Sequence, residues 1–176
     1  MIEAETLPKS ISNTDTVNIL ARIEKLRLMH VSLVAKRFSL SLTDVKIMGF
    51  VRSNNLKRGA SDILEYFNIG ETSVSRSIAR LEKKAYLHRR SHPFNQKYLD
   101  LILAGEGNFI ASYILLEQKK YLNELFDGFT HDERVILGKL LWKIDRNIKR
   151  QIMEYKNKQA KLRKDREDNK MVARSL

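Results

Sequence analysis

Seven of the 22 residues from Arg76 to Lys97 are basic (Arg76, Arg80, Lys83, Lys84, Arg89, Arg90 and Lys97), against one acid, Glu82. Half of the chain's formal +12 therefore lies in one short segment. Side chains of this kind recognise polyanions: Lys and Arg neutralise phosphates, and a guanidinium can also pair bidentately with a guanine edge. Thr72, Ser73 and Ser75 stand at the start of the same segment. Their hydroxyls can meet phosphates or base edges where a helix dipole favours an anion, or they can simply cap the helix. Arg76 is the best placed to read a base, whereas Arg80 and Lys83, further along, are expected to meet the sugar-phosphate backbone. Arg89, Arg90, His92, Asn95 and Lys97 surround a second feature, a turn suited to a minor groove or its flanking phosphates.

Other chemistries are poorly provided for. The chain has no cysteine, which excludes disulfides, thiolate metal sites and thiol nucleophiles. His30, His88, His92 and His131 are scattered without ligand spacing, so no metal is expected. There is no phosphate-binding loop, no dinucleotide glycine fingerprint and no serine elbow. Neither catalytic residues nor a cofactor is expected, and the chain reads as a non-enzyme. No run approaches the roughly 18 to 20 apolar residues of a membrane span, and the first ten residues are acidic where a secretory signal is basic and then apolar. A cytoplasmic protein without membrane contact is the expectation.

The elements that must position the basic segment follow from periodicity. With 43% hydrophobic and 31% charged residues over 176 positions, the chain can bury one core of ordinary size. Residues 1 to 16 form a polar arm taken as flexible. From Thr16 to about Phe38, Ile19, Ile23, Leu26, His30 and Leu33 recur at helical spacing. Thr43 can cap a second helix over about 44 to 55 with Val45, Met48 and Val51 on one face, and Ser61 lies near the start of a short third. After Gly70, Val74, Ile78 and Leu81 point inward, leaving Thr72, Arg76, Arg80 and Lys83 on the opposite face.

The period then changes. Leu99, Leu101 and Leu103 alternate with their neighbours beyond the turn-forming residues His92 to Asn95, which predicts a hairpin of about 86 to 91 and 97 to 103. A helix from about 106 to 126 follows, then another opened by a Thr130/Glu133 capping box and running to about Tyr155. From Lys156 the apolar stripe lapses, and eight basic residues against three acids predict a basic tail over 156 to 176 that is a mobile or frayed helical extension; the alternative is an ordered helix docked on a partner subunit, with Leu162 and Met171 as anchors. Three short helices and a basic hairpin make a winged helix-turn-helix: mainly α with a small β-hairpin wing, its third helix entering a major groove.

The run from Ile69 to Arg90, IGETSVSRSIARLEKKAYLHRR, resembles the MarR family of bacterial transcription regulators, whose recognition helix ends in a Leu-Glu-Lys-x-Gly-Leu stretch leading into an Arg-Arg wing strand. The likeness covers about residues 17 to 150. Where the family's wing carries Asp-x-Arg and then Leu-Thr, this chain has Asn95-Gln96-Lys97 and then Leu103-Ala104, followed by Gly105 and Gly107. Leu42-Thr43 stands where the family opens its second helix, and Ala85 replaces a common glycine. Losing the Asp and Arg removes the charge pair of the family's wing tip, since a lysine cannot copy a guanidinium fork.

The resemblance implies a single domain over 17 to 155, with a DNA-binding lobe at about 43 to 104 and dimerisation helices at about 17 to 38 and 106 to 155. It implies a homodimer on double-stranded DNA with a palindromic operator, and a possible small-molecule effector between dimer helices and DNA lobe. The apolar side chains of the two C-terminal helices, among them Phe109, Tyr113, Leu116, Leu140, Trp142 and Ile148, agree with a covered face. An architectural role, or one in plasmid replication or maintenance, is the alternative for a winged-helix protein with a basic tail. A module that only binds other proteins would show no salt-sensitive DNA affinity.

Overall fold

A computed structural model describes residues 11–54, 59–67 and 69–174. The first ten residues of the expected arm, residues 55–58, Asn68 and the last two residues lie outside that description. The chain divides into two compact units, Met1–Leu125 and Phe126–Leu176.

In the first unit, helix α1 spans Asn13–Arg37, α2 Leu42–Ser53, α3 Ala60–Phe67, α4 Glu71–Lys83 and α5 Glu106–Leu125; strands β1 (Leu87–His92) and β2 (Asn95–Leu103) lie between α4 and α5. Helix α1 begins at Asn13, three residues before Thr16, because Ser12 accepts from the Asp15 amide and caps it. Its buried end is Val34 and Ala35, while Leu33 is exposed, so the stripe runs from His30 by a step of four and not three. The cap of α2 is Ser41 and not Thr43. Ser41 Oγ accepts from the Asp44 amide at 3.1 Å, and the Asp44 carboxylate accepts from the Ser41 amide at 2.8 Å. That reciprocal pair satisfies two orphan donors, which a Thr43 start would leave open.

Helix α2 is the centre of the unit. It packs against α1, α4, α5 and β2, and Val45, Ile47, Met48, Phe50 and Val51 are all buried. Around it Ile63, Val74, Ile78, Leu81, Leu87, Leu101, Ile110 and Ile114 complete one continuous core. Gly49 lets α5 approach, since a Cβ there would sit 3.2 Å from Ile114.

The helix ends before the second helix and before the wing share one device. After α4, Tyr86 N donates to Leu81 O at 3.0 Å and Ala85 N to Glu82 O at 2.9 Å, with Ala85 at φ 53°. After α1 the same pattern joins Leu40 to Ala35 and Ser39 to Lys36, with Ser39 at φ 50°. Both are paired C-terminal bonds closed by a left-handed residue, a position that favours glycine.

The two strands form an antiparallel hairpin with Leu87 opposite Leu103 and Arg90 opposite Asp100. The register shifts between Ser91, opposite Leu99, and His92, opposite Asn95, so β2 carries extra residues near the tip. Leu101 is buried in the expected alternation, but Leu99, nearer the shift, is 44% exposed.

In the second unit, helix α6 spans His131–Arg174. The capping box is present: Thr130 N donates to Glu133 at 2.8 Å, and Glu133 N donates to Thr130 Oγ1 at 3.3 Å. The helix continues past Tyr155 with no break. Its later sequence has neither glycine nor proline and is rich in Lys, Arg, Gln and Ala, good helix formers that need no core to favour this geometry. Its apolar residues Val135, Ile136, Leu140, Leu141, Trp142, Ile144 and Ile148 are exposed.

Candidate nucleic-acid interface

Helix α4 is split into an inner and an outer face. Val74, Ser77, Ile78 and Leu81 are buried, and Thr72, Ser73, Ser75, Arg76 and Lys83 are exposed. The helix is capped by Gly70 with no side-chain bond, so Thr72 and Ser73 are not its caps. The first intrahelical bonds run from Ser73 N and Val74 N to Gly70 O, and the exposed hydroxyls stand at the helix end that favours an anion. Among the described residues, Arg76 makes no salt bridge, in contrast to its neighbour one turn on.

Arg80 is engaged internally. Its Nη2 donates to Asp44 Oδ1 at 2.8 Å and its Nε to Asp44 Oδ2 at 3.0 Å, with a further bond from Nη2 to Ser41 Oγ at 3.0 Å. Asp44 is wholly buried and also accepts from Ser77 Oγ. Burial alone pushes the Asp44 carboxyl up, but the hydrogen bonds from Arg80, Ser77 and Ser41 outweigh it and hold the group below the ordinary carboxylate range. The same pairing raises Arg80. Through Nε and Nη2, Arg80 thus fastens α4 to the capped start of α2, while its side chain stays 46% exposed.

Two more cations of the basic segment have partners within the protein. Lys84 Nζ donates to Ser39 O at 2.9 Å, and Arg89 lies 3.3 Å from Glu82. Lys83, Arg90 and the edge of Arg89 remain exposed alongside Arg76. Of Asn95 and Lys97 only the backbone is described, as the start of β2.

The wing is rooted by a contact that sequence reasoning missed. Tyr98, in the shifted part of β2, donates its hydroxyl to Asp62 near the start of α3 and accepts from the Gly59 amide at 3.1 Å. Any side chain at position 59 would collide with the Tyr98 ring. Burial, and then the hydrogen bond to Asp62, push the Tyr98 hydroxyl above its ordinary pKa. From Tyr98 a ladder of edge-on rings leads outward, to His92 at 5.7 Å and from His92 to Phe94 at 6.1 Å. At the other end of the hairpin, Gly107 packs on the Tyr86 backbone so closely that no Cβ would fit.

Elsewhere in this unit, α1, α2, α3 and α5 line a cavity of about 400 Å³ walled by Arg27, His30, Lys46, Phe50, Tyr66, Phe67, Glu117 and Tyr121, among others. His30 Nε2 lies 2.9 Å from Glu124, and its buried Nδ1, 3.5 Å from Glu117, has no hydrogen-bond partner among the described residues. The hydrogen bond from Lys120 is the main reason the Glu117 carboxyl lies below its usual range. Among the described residues no group of three or more His, Asp or Glu is placed to hold a metal ion, and no helix is long and apolar enough to cross a membrane.

Three helices, the third half-exposed and basic, followed by a two-stranded hairpin define a winged helix-turn-helix. Comparison with known structures narrows the class to the fold of the MarR-type regulators. A MarR family transcriptional regulator from Listeria monocytogenes, solved in complex with a 26mer DNA, matches with a TM-score of 0.62 and 20% identity, covering 79% of this chain and 90% of that one. Bordetella bronchiseptica BpsR, solved in work on the regulation of its DNA binding by 6-hydroxynicotinic acid, matches with a TM-score of 0.53 and 18% identity over 77% and 97% of the two chains. In sequence, the chain is 32% identical over 89 residues to the HTH-type transcriptional regulator PrsX of Escherichia coli, spanning 48% of this chain and 54% of that protein. The chain spans about half the length of the curated relatives it matches. No protein-family model matches it.

Proposed function

We propose that the chain is a DNA-binding transcription regulator of the MarR family that acts as a homodimer on a palindromic operator. The observation that carries this reading is the division of α4: a buried apolar face, an internal anchor at Arg80, and an outer face that offers Thr72, Ser73, Ser75, Arg76 and Lys83 to solvent. A helix built only to complete a core has no use for an exposed hydroxyl and guanidinium row beside a basic hairpin. Arg76 is assigned to a base edge, and Lys83, Arg90 and Lys97 to phosphates.

The dimer reading rests on exposed apolar side chains. On α1 these include Val17, Leu20, Met29 and Leu33; on α6, Leu140, Leu141, Trp142 and Ile148. Exposed apolar side chains grouped on one helix in this way mark a surface for association. Two copies related by a two-fold axis would present two recognition helices to successive major grooves about one turn apart. The cavity beside His30 and Glu117 supports a small-molecule effector, because it is concave, aromatic-lined and provided with few but convergent polar groups.

Genome-wide capture of bound DNA followed by footprinting of the strongest site tests the proposal. A regulator protects a short imperfect palindrome, and its log affinity falls steeply with log salt. Uniform coating of DNA without preferred sites would favour an architectural role instead. A monomer at micromolar concentration with a flat salt response would overturn the proposal.

A further inference from the structure

Phe94, at the tip of the wing, is the most exposed large apolar side chain among the described residues, at 94%. A two-residue turn has no need of it, since small polar residues serve such turns equally well. Nor is it loosely held. Its amide donates to His92 Nδ1 at 3.3 Å, and its ring stands edge-on to His92, which stands edge-on to Tyr98. Tyr98 in turn is bonded to Asp62 of α3 and to the Gly59 amide. Pro93, whose ring fixes its own φ, precedes Phe94. A continuous series of contacts therefore runs from the helical core to a bare phenyl ring at the end of the hairpin. Arg89 and Arg90, both exposed, follow one another on the strand leading to it.

A bare apolar side chain held at a hairpin tip amid cations fits one surface better than any other, the stacked bases beneath a phosphate-lined groove. Apolar side chains inserted between base steps from the minor groove unstack and kink the duplex; the cost of unstacking is offset by stacking on the inserted side chain and by wider phosphate contact. We propose that Phe94 is such a wedge: it enters a base step of the minor groove and kinks the DNA, with His92 and Tyr98 as its mount. The proposal rests on the DNA-binding reading above and extends it. Because pyrimidine–purine steps unstack most easily, the wedge selects for such a step under each wing without hydrogen-bonding any base there.

The test uses the full chain and a duplex recovered by binding selection from a random-sequence pool, with 2-aminopurine placed at successive positions and end labels reporting bend by energy transfer. Wild-type protein is expected to raise 2-aminopurine emission several-fold at one step in each half-site and to bend the duplex. Phe94→Ala is expected to abolish both signals and to weaken binding on the order of tenfold. It leaves the slope of log affinity against log salt unchanged, since no phosphate contact is lost. Phe94→Leu, which keeps an apolar wedge, retains most of the bend. Phe94 is exposed, so these variants should melt with the wild type. A wild-type complex with unaltered emission and no bend, or a Phe94→Ala complex like the wild type, would overturn the wedge and leave DNA binding standing. Failure to retain any duplex from the pool would instead overturn the DNA-binding reading, and the wedge with it.

Discussion

Arg80 and Asp44 are joined by two parallel hydrogen bonds, 2.8 and 3.0 Å long, between the outward side of α4 and the buried start of α2. The two partners differ in exposure: the Arg80 side chain is 46% exposed and that of Asp44 1%. Removing one is therefore unlike removing the other. Arg80→Met strands a buried carboxylate and is expected to cost about 3 kcal/mol or more at neutral pH, whereas Asp44→Asn leaves a guanidinium that water can solvate and costs less. The sign of the pH dependence follows from the depressed Asp44 pKa: its stabilisation is present above the ordinary carboxylate pKa and is lost as pH falls through the folded value. In Arg80→Met the stranded carboxyl takes up a proton more readily, so the gap between variant and wild type should narrow as pH falls from 7 towards about 4. Urea unfolding at several pH values measures this; a gap that stays constant would show that Asp44 is not the group responsible.

Arg76, one turn before Arg80, is expected to behave oppositely. Arg76→Ala should leave the melting temperature unchanged while costing on the order of 1–3 kcal/mol of operator binding and relaxing preference at one base of each half-site. Lys97→Ala should weaken all sequences alike. Binding-site selection with the two variants separates them, and an unchanged profile for Arg76→Ala would remove the base-reading role.

The wing's attachment can be loosened by one atom. Tyr98→Phe deletes the hydroxyl shared by Asp62 and the Gly59 amide, with an expected loss of about 1 kcal/mol and faster amide hydrogen exchange in β1 and β2. In the wild type, the raised Tyr98 pKa means that its contribution is present below the ordinary value of 10.0 and is lost as pH rises through the higher folded value. Exchange rates in the hairpin that do not respond to the substitution would show that the wing is held elsewhere.

Ala85 is a residue of the wrong type for its backbone. At φ 53° in the closing position after α4 it carries a Cβ penalty that glycine avoids. Ala85→Gly should raise stability by up to about 1 kcal/mol, read as a higher urea midpoint at unchanged slope. Gly107→Ala should do the reverse and severely, because its Cβ would overlap the Tyr86 backbone.

These residues show what a linear reading can and cannot reach. The core positions of α4, the exposed place of Arg76 and the Thr130–Glu133 cap depend on helical period and local bonds, and all were legible. The Ser41–Asp44 cap was equally local, but Thr43 stood closer to the apolar run and drew the boundary two residues late. Arg80 lies on the outer side of the helical wheel by spacing alone; only the tertiary approach of the α2 start turns it inward. Tyr98 reaches α3 through a register shift, which a two-residue period cannot reveal. The helical course of α6 past Tyr155 needs no apolar stripe, since a run of good helix formers without glycine or proline favours that backbone by itself.

Trp142 is the chain's single tryptophan, and it lies on the exposed apolar stripe of α6, 62% exposed, with the Arg146 guanidinium 5.1 Å from its ring. The molecule thereby carries an intrinsic fluorophore at the face assigned to its second copy, with no competing indole elsewhere. Emission that moves to longer wavelength on dilution would mark that face coming apart into water. A spectrum insensitive to dilution, and already that of a solvated indole, would place the contact between copies on another surface.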